Sequence, residues 1–262
     1  MERFYEDRSS LFVRAYDAFL DPPPPQIVGD VEFYQQLAGE AAAPTLELAC
    51  GTGRIAVALA ERGIEITGID IAEGMLALAQ DKRDALPEAV RRRLVLQAGD
   101  MCELNLDKQF GMIFVAFRSF QHLLTIDLQR QALAVMRRHL APGGCLALHL
   151  FDPRLDLLLE GVATLPRLSG SDPVTHHRYT GEVLRARFDH VSRVRRDIWQ
   201  YTEFGLAGEV VEQATREMAL RWTYRWELRH LLELCGFAVQ AEYSDFAGSP
   251  TEYGRELVVV AR

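Results

Sequence analysis

Leu46-Glu47-Leu48-Ala49-Cys50-Gly51-Thr52-Gly53-Arg54 is the stretch whose reading decides the fold. The apolar run over 45–49 reads as a buried strand, and the turn at Cys50-Gly51-Thr52-Gly53 leads into a helical pattern reaching about Arg62. Gly51 and Gly53 allow a tight turn and let a ligand lie against bare backbone at the carboxyl edge of the strand, where open α/β sheets bind ligands.

The same alternation extends in both directions. A helix over 31–37 precedes the first strand; afterwards come strand 64–69, helix 73–83, strand 94–97, strand 112–117, helix 127–140 and strand 145–151. Strands that are apolar nearly throughout indicate a parallel sheet covered on both faces. Pro142-Gly143-Gly144 is read as the turn before the last of these strands. After residue 170 the period changes to two: Leu184, Ala186 and Phe188 alternate with charged residues, as do Met218, Leu220, Trp222, Tyr224 and Trp226 with mostly polar ones. That period predicts half-exposed antiparallel strands, with the Trp222, Tyr224 and Trp226 row on their buried face. A helix over 227–235 and strands over 237–243 and 256–261 return to the main sheet.

The expected organisation is therefore a single domain. Residues 1–29, ending in Asp21-Pro22-Pro23-Pro24-Pro25, form a lid segment with a stiff extended connector; 30–170 form the core, 171–226 an antiparallel insertion, and 227–262 the return.

With 262 residues, 48% of them hydrophobic, the chain is long enough to bury a core without disulfides or a structural metal. Its four cysteines lack a CxxC pair or a histidine at ligand spacing, so free thiols in a reducing cytoplasm are expected and no metal site. Neither a signal peptide nor a membrane span is evident. The formal net charge of -8 argues against a nucleic-acid partner, and the runs 91–93 and 193–196 are read as solvated faces. A homodimer is compatible with all of this.

Two carboxylates narrow the ligand. Asp70 ends the next strand 17 residues past Gly53, where an acidic group accepts both hydroxyls of an adenosine ribose. Gly51-x-Gly53-x-x-Ala56 also satisfies the relaxed dinucleotide fingerprint, so a nicotinamide-dependent oxidoreductase is an alternative. Glu47 discriminates, because a carboxylate four residues before Gly51 repels a pyrophosphate but suits an ammonium or sulfonium. Asp100, after the third strand, is placed for an adenine amino group; Met75 and Met101 offer polarizable packing to the ring.

Together these residues resemble class I S-adenosylmethionine-dependent methyltransferases from about Asp30 onward. Glu47-x-x-x-Gly51-x-Gly53 is similar to that family's first motif, Gly68-Ile69-Asp70 to its second, and Gly99-Asp100-Met101 to its adenine loop. Phe117-Arg118-Ser119-Phe120-Gln121-His122 resembles the segment after its fourth strand, and Arg138-His139-Leu140-x-Pro142-Gly143-Gly144 its helix-to-strand turn. Ala49 departs from the family, which often has glycine there. The resemblance implies a Rossmann-like, seven-stranded, doubly wound sheet, mostly parallel with its last strand antiparallel. It also implies S-adenosyl-L-methionine as cofactor, S-adenosyl-L-homocysteine as product, and a small-molecule acceptor methylated at nitrogen, oxygen or carbon. By the same resemblance Glu47, Ala49, Gly51, Gly53, Arg54, Asp70, Ile71, Met75, Asp100, Met101 and Phe117 bind the cofactor, and Tyr16 comes over its methionine end. His122 is the candidate general base, since a free imidazole titrates near neutrality. His176 and His177, adjacent on a predicted strand, point to opposite faces and do not converge on a ligand. A non-catalytic docking protein that keeps the nucleoside fold is the third reading.

Overall fold

Every residue of β1 (Thr45–Leu48), β2 (Ile66–Asp70) and β4 (Phe110–Val115) is buried, which is the consequence of apolar strands covered on both faces. The computed structural model describes residues 4–41, 43–154 and 166–262; the first residues of the N-terminal segment and 155–165 of the expected core lie outside the described residues. With β3 (Leu94–Ala98), β5 (Leu140–Phe151), β10 (Val239–Tyr243) and β11 (Glu256–Ala261), the strands order as β10-β11-β5-β4-β1-β2-β3. β11 runs antiparallel to both neighbours, and the β1, β2, β3, β4 and β5 pairings are parallel. Because β1 lies between β2 and β4, successive crossovers leave it in opposite directions and open a crevice at the carboxyl ends.

Two helical layers close the sheet. On one face α2 (Asp30–Glu40) and α3 (Arg54–Glu61) pack Tyr34, Ile55 and Leu59 against Phe114 and Val258. On the other, α6 (Ile126–His139) and α7 (Arg225–Leu234) pack Leu133, Met136, Leu228 and Leu232 against Leu48 and Ile113. The side chain of Thr125 caps α6 by accepting from the Leu128 amide at 3.2 Å. α4 (Glu73–Asp84) and the short α5 (Glu88–Arg91) connect β2 to β3.

A second sheet, β6 (Arg167–Ser171), β7 (Arg178–Asp189), β8 (Val194–Phe204) and β9 (Val210–Arg221), is an antiparallel meander in sequential order. β6, with its serines and glycine, carries no apolar alternation that marks it as a strand. Tyr179, Val183, Trp199 and Tyr201 on this sheet form a core with Phe4, Leu11, Phe12 and Phe19 of the N-terminal segment. That segment comprises α1 (Leu11–Arg14) and the 3-10 turns Asp17–Leu20 and Pro25–Ile27. Each of its large buried side chains contributes about 1.5–3 kcal/mol, so the segment is packed as a layer against the antiparallel sheet.

Several local expectations are corrected. The alternation through 218–226 breaks at Arg221, where β9 ends; Trp222 is buried, but Tyr224 precedes α7 and Trp226 stands exposed on it. His176 and His177 lie on a turn, not a strand: His176 has φ +58, and its amide bonds the Asp172 carbonyl. β4 stops at Val115, because Phe117 takes a left-handed φ of 45. The Pro142-Gly143-Gly144 segment is a bulge inside β5, since Leu140 already pairs with Phe110. Only part of the proline run is extended, as Pro25 starts a 3-10 turn.

The N-terminal segment crosses the parallel domain where only glycine fits. A Cβ on Gly74 meets the Arg8 nitrogen at 2.6 Å and the Glu6 carbonyl oxygen at 2.7 Å, while the Gly74 amide bonds that carbonyl at 2.9 Å. Gly74→Ala is therefore predicted to lift residues 6–8 and destabilise the fold by about 1–3 kcal/mol. Limited trypsinolysis at Arg8 and Arg14 checks this; cleavage as slow as in the wild type refutes the close-approach argument.

Candidate functional site

The turn after β1 is built from three left-handed residues, Ala49 (φ 58), Gly51 (φ 56) and Gly53 (φ 75). For Ala49 that conformation costs roughly 1 kcal/mol, which a glycine avoids. The carboxylate of Asp70 staples the turn to the end of β2: Oδ2 accepts from the Gly51 amide and Oδ1 from the Ala72 amide, each at 2.7 Å. Each oxygen keeps a further lone pair for a donating hydroxyl. Burial raises the Asp70 pKa, and the Ala72, Gly51 and Ile71 amides oppose that shift.

Glu47, the penultimate residue of β1, is 2% exposed, and its Oε2 has no hydrogen-bond partner. Burial pushes its carboxyl well above the ordinary range; Arg54 and the Ala56 amide pull it down, while Asp30 and Asp70 add repulsion. Arg54, at the start of α3, is committed to Asp30 through Nη1–Oδ1 at 3.0 Å and a second Nη2–Oδ2 contact. Asp30 and Glu47 thus share one guanidinium, and Asp70 adds a third carboxylate beside the glycine turn. The Tyr34 hydroxyl, stacked ring on ring over Phe114 at 4.3 Å, is also buried without a partner. An unpaired buried carboxylate is unfavourable by itself. A cationic ligand group corrects both the charge and the missing partner, so the donor set fits the ammonium and sulfonium of S-adenosylmethionine.

Other predicted cofactor residues gather at the same edge. Met75 is buried, with its Cε 3.5 Å from where a Cβ on Gly51 would stand, and it packs with Val13, Ala72, Tyr5 and Tyr16. The Tyr16 ring meets Tyr5 edge-on at 5.4 Å. Burial raises its phenol, as do the nearby Tyr5, Asp17 and Asp70, while Arg54 lowers it. Thr52 fastens this layer by donating to Asp17 Oδ1 at 2.6 Å. Ile71 is partly exposed beside Asp70. Asp100 forms an Asx turn, accepting from the Cys102 amide at 2.8 Å, while Met101 packs against the core on the α6 side.

Beyond β4, Phe117 (φ 45) and Arg118 (φ 68) are consecutive left-handed residues before the 3-10 turn Ser119–His122. Two such non-glycine residues cost about 1–3 kcal/mol each and persist where surroundings over-determine them. Phe117 packs against the α2 side of the core. His122 ends that 3-10 turn with its side chain exposed, beside the backbone of β9. Desolvation pushes its pKa down to about 4, opposed by a hydrogen bond with the Ala219 backbone in β9. The imidazole is consequently neutral throughout the physiological range, not poised near neutrality as an unperturbed side chain is.

Sequence reading missed Asp30, Arg118, His149 and Glu256. Only Glu256 left a usable signal, a lone carboxylate opening an otherwise apolar strand, Glu256–Ala261. Among the described residues no cluster of three or more His, Cys, Asp or Glu side chains is arranged to hold a metal.

Glu47→Gln is predicted to have opposite effects on stability and on binding. Replacing the unpaired carboxylate stabilises the ligand-free protein by about 1 kcal/mol at pH 7. Because the folded pKa of Glu47 lies above its unfolded value, the wild type loses stability as pH rises from the unfolded value through the folded one. The stability gap between variant and wild type therefore shrinks toward pH 4. S-adenosylhomocysteine affinity falls at least about tenfold, as loss of a charged partner implies. Denaturant titration at both pH values and calorimetry measure the two effects; unchanged affinity removes Glu47 from the binding set.

Comparison with known proteins agrees with this geometry. Residues 45–144, from β1 into β5, match a family described as a methyltransferase domain. The cypemycin N-terminal methyltransferase of a Streptomyces species is 27% identical over 255 residues, covering 95% of this chain and 94% of that protein. Among solved structures, the CcbJ methyltransferase of Streptomyces caelestis superposes with a TM-score of 0.77 at 24% identity, covering 98% of each chain. The S-adenosylmethionine-bound CalS10, an amino pentose methyltransferase from Micromonospora echinaspora, gives 0.69 at 24% identity over 100% of this chain and 99% of that one. Matched domain, shared fold and cation-seeking carboxylate edge converge: this chain carries a methyltransferase domain of the S-adenosylmethionine-dependent class.

Proposed function

We propose that the chain methylates the nitrogen of a small-molecule amine bound between Tyr16, the turn Ser119–His122 and the antiparallel sheet. The observation that carries this reading is the neutral imidazole of His122, exposed at the end of the 3-10 turn beside β9 and so free to accept a hydrogen bond from an amine. Support comes also from the relatives, whose names place a methylated peptide N terminus and an amino pentose among their acceptors.

When bound, the cofactor supplies a methyl group made electrophilic by positive sulfur. Glu47 and the left-handed turn hold its cationic tail, Asp70 its ribose hydroxyls, and Asp100 its adenine edge, with Met75, Ile71, Met101 and Phe117 as apolar walls. Arg54 acts through Asp30, keeping α2 against α3 so that Tyr34 and Glu47 stay dry. Tyr16 covers the methionine end and excludes water. The amine enters as a free base; His122 accepts one of its N–H hydrogens and so directs the nitrogen lone pair along the methyl–sulfur axis. The new C–N bond forms as the C–S bond breaks, and the product ammonium releases its proton to solvent. With a pKa near 4, His122 orients rather than stores that proton.

Methyl transfer to a panel of amino sugars, peptide N termini and their hydroxyl isosteres, read as a 14 Da mass gain, tests the acceptor class; methylation of the hydroxyl compounds alone overturns it. His122→Asn is predicted to lower kcat about 10- to 100-fold, with S-adenosylhomocysteine affinity within threefold. The wild-type profile should rise with deprotonation of the acceptor amine and show no histidine inflection between pH 6 and 8. A loss under threefold removes His122 from the reaction.

A further inference from the structure

We propose that Glu256 is a positioning residue for methyl transfer: through Arg118 and His149 it holds the loop after β4 in the doubly left-handed conformation that presents Phe117 and His122 to the site. The inference rests on the acceptor reading above for its consequence, and on side-chain geometry alone for the clamp itself.

Glu256 opens β11 opposite Phe151 at the end of β5. Its Oε1 accepts from Arg118 Nη2, and its Oε2 accepts from Arg118 Nε at 3.0 Å and from His149 Nε2 at 2.9 Å. The Arg118 amide donates to the His149 carbonyl at 3.0 Å, so backbone and side chain of Arg118 are gripped by neighbouring strands of one edge. The guanidinium also lies over the Phe151 ring, 5.5 Å from its centroid. His149 is fully buried, and burial holds its pKa down. Neutral imidazole facing an acceptor-only carboxylate must carry its proton on Nε2, which leaves Nδ1, buried and without a partner, as a bare acceptor. A partly buried ion pair contributes little net stability, because desolvation offsets much of its attraction. This one restrains the residue that follows Phe117, and both depart from the φ that their side chains prefer.

Glycine adopts a left-handed φ without help, whereas alanine does not. Two comparisons follow. Glu256→Gln should raise amide exchange of Arg118 and Gln121 at least tenfold, leave Leu46 and Leu48 unchanged, and lower kcat at least tenfold with S-adenosylhomocysteine affinity within threefold. Arg118→Gly should retain at least ten times the activity of Arg118→Ala. Wild-type exchange across 116–123 in Glu256→Gln, or equal activities for the glycine and alanine variants, overturns the proposal. Amide exchange needs no acceptor, so a failed amine panel with faster exchange in Glu256→Gln refutes only the acceptor reading, while unchanged exchange refutes the clamp.

Discussion

The bidentate grip of Asp70 on the amides of Gly51 and Ala72 joins the end of β1 to the end of β2. On it depends the shape of the glycine turn, because a turn with left-handed residues at 49, 51 and 53 cannot be held by side-chain packing of glycines. The same carboxylate is thus both a structural staple and the group with lone pairs left for a ribose. Its burial is unfavourable for a charge, and the backbone donors compensate.

Around this staple the protein keeps an electrostatic imbalance. Arg54 is engaged by Asp30 and so does not satisfy Glu47, whose Oε2 is left without a partner in a dry edge of the sheet. A folded chain retains such a defect where a ligand of opposite charge relieves it. The three carboxylates also explain why a pyrophosphate-bearing cofactor is a poor match, although the glycine spacing alone permits one.

The acceptor side is assembled from segments remote in sequence. The N-terminal layer lies between the parallel domain, which it touches at Gly74, and the antiparallel sheet, whose aromatic residues share its core. Arg14 binds Glu203 at 2.9 Å and also Glu212, and His177 approaches the same Glu203 at 2.7 Å. Ion pairs at this depth orient as much as they stabilise. The N-terminal segment that carries Tyr16 and the turn that carries His122 are thus both packed against strands of the antiparallel sheet.

What the sequence determined by itself was local. The glycine turn, the apolar strands and the carboxylates at fixed offsets depend on chain geometry within about 20 residues, so the α/β class, the antiparallel insertion and the sharp turn after β1 were all legible; β11 was read with the bounds it has, Glu256–Ala261. The tertiary structure decided the rest. It ended β9 at Arg221 despite continuing alternation, made the N-terminal segment part of a core, paired Arg54 with Asp30, and placed Glu256 and His149 behind Arg118. It also moved His122 away from neutrality, since desolvation depends on which distant strands surround a side chain. Period and spacing encode where a side chain points along its own element; which partner it meets, and how much water remains there, is set by contacts between residues far apart in the chain, 138 positions for Arg118 and Glu256 and 198 for Arg14 and Glu212.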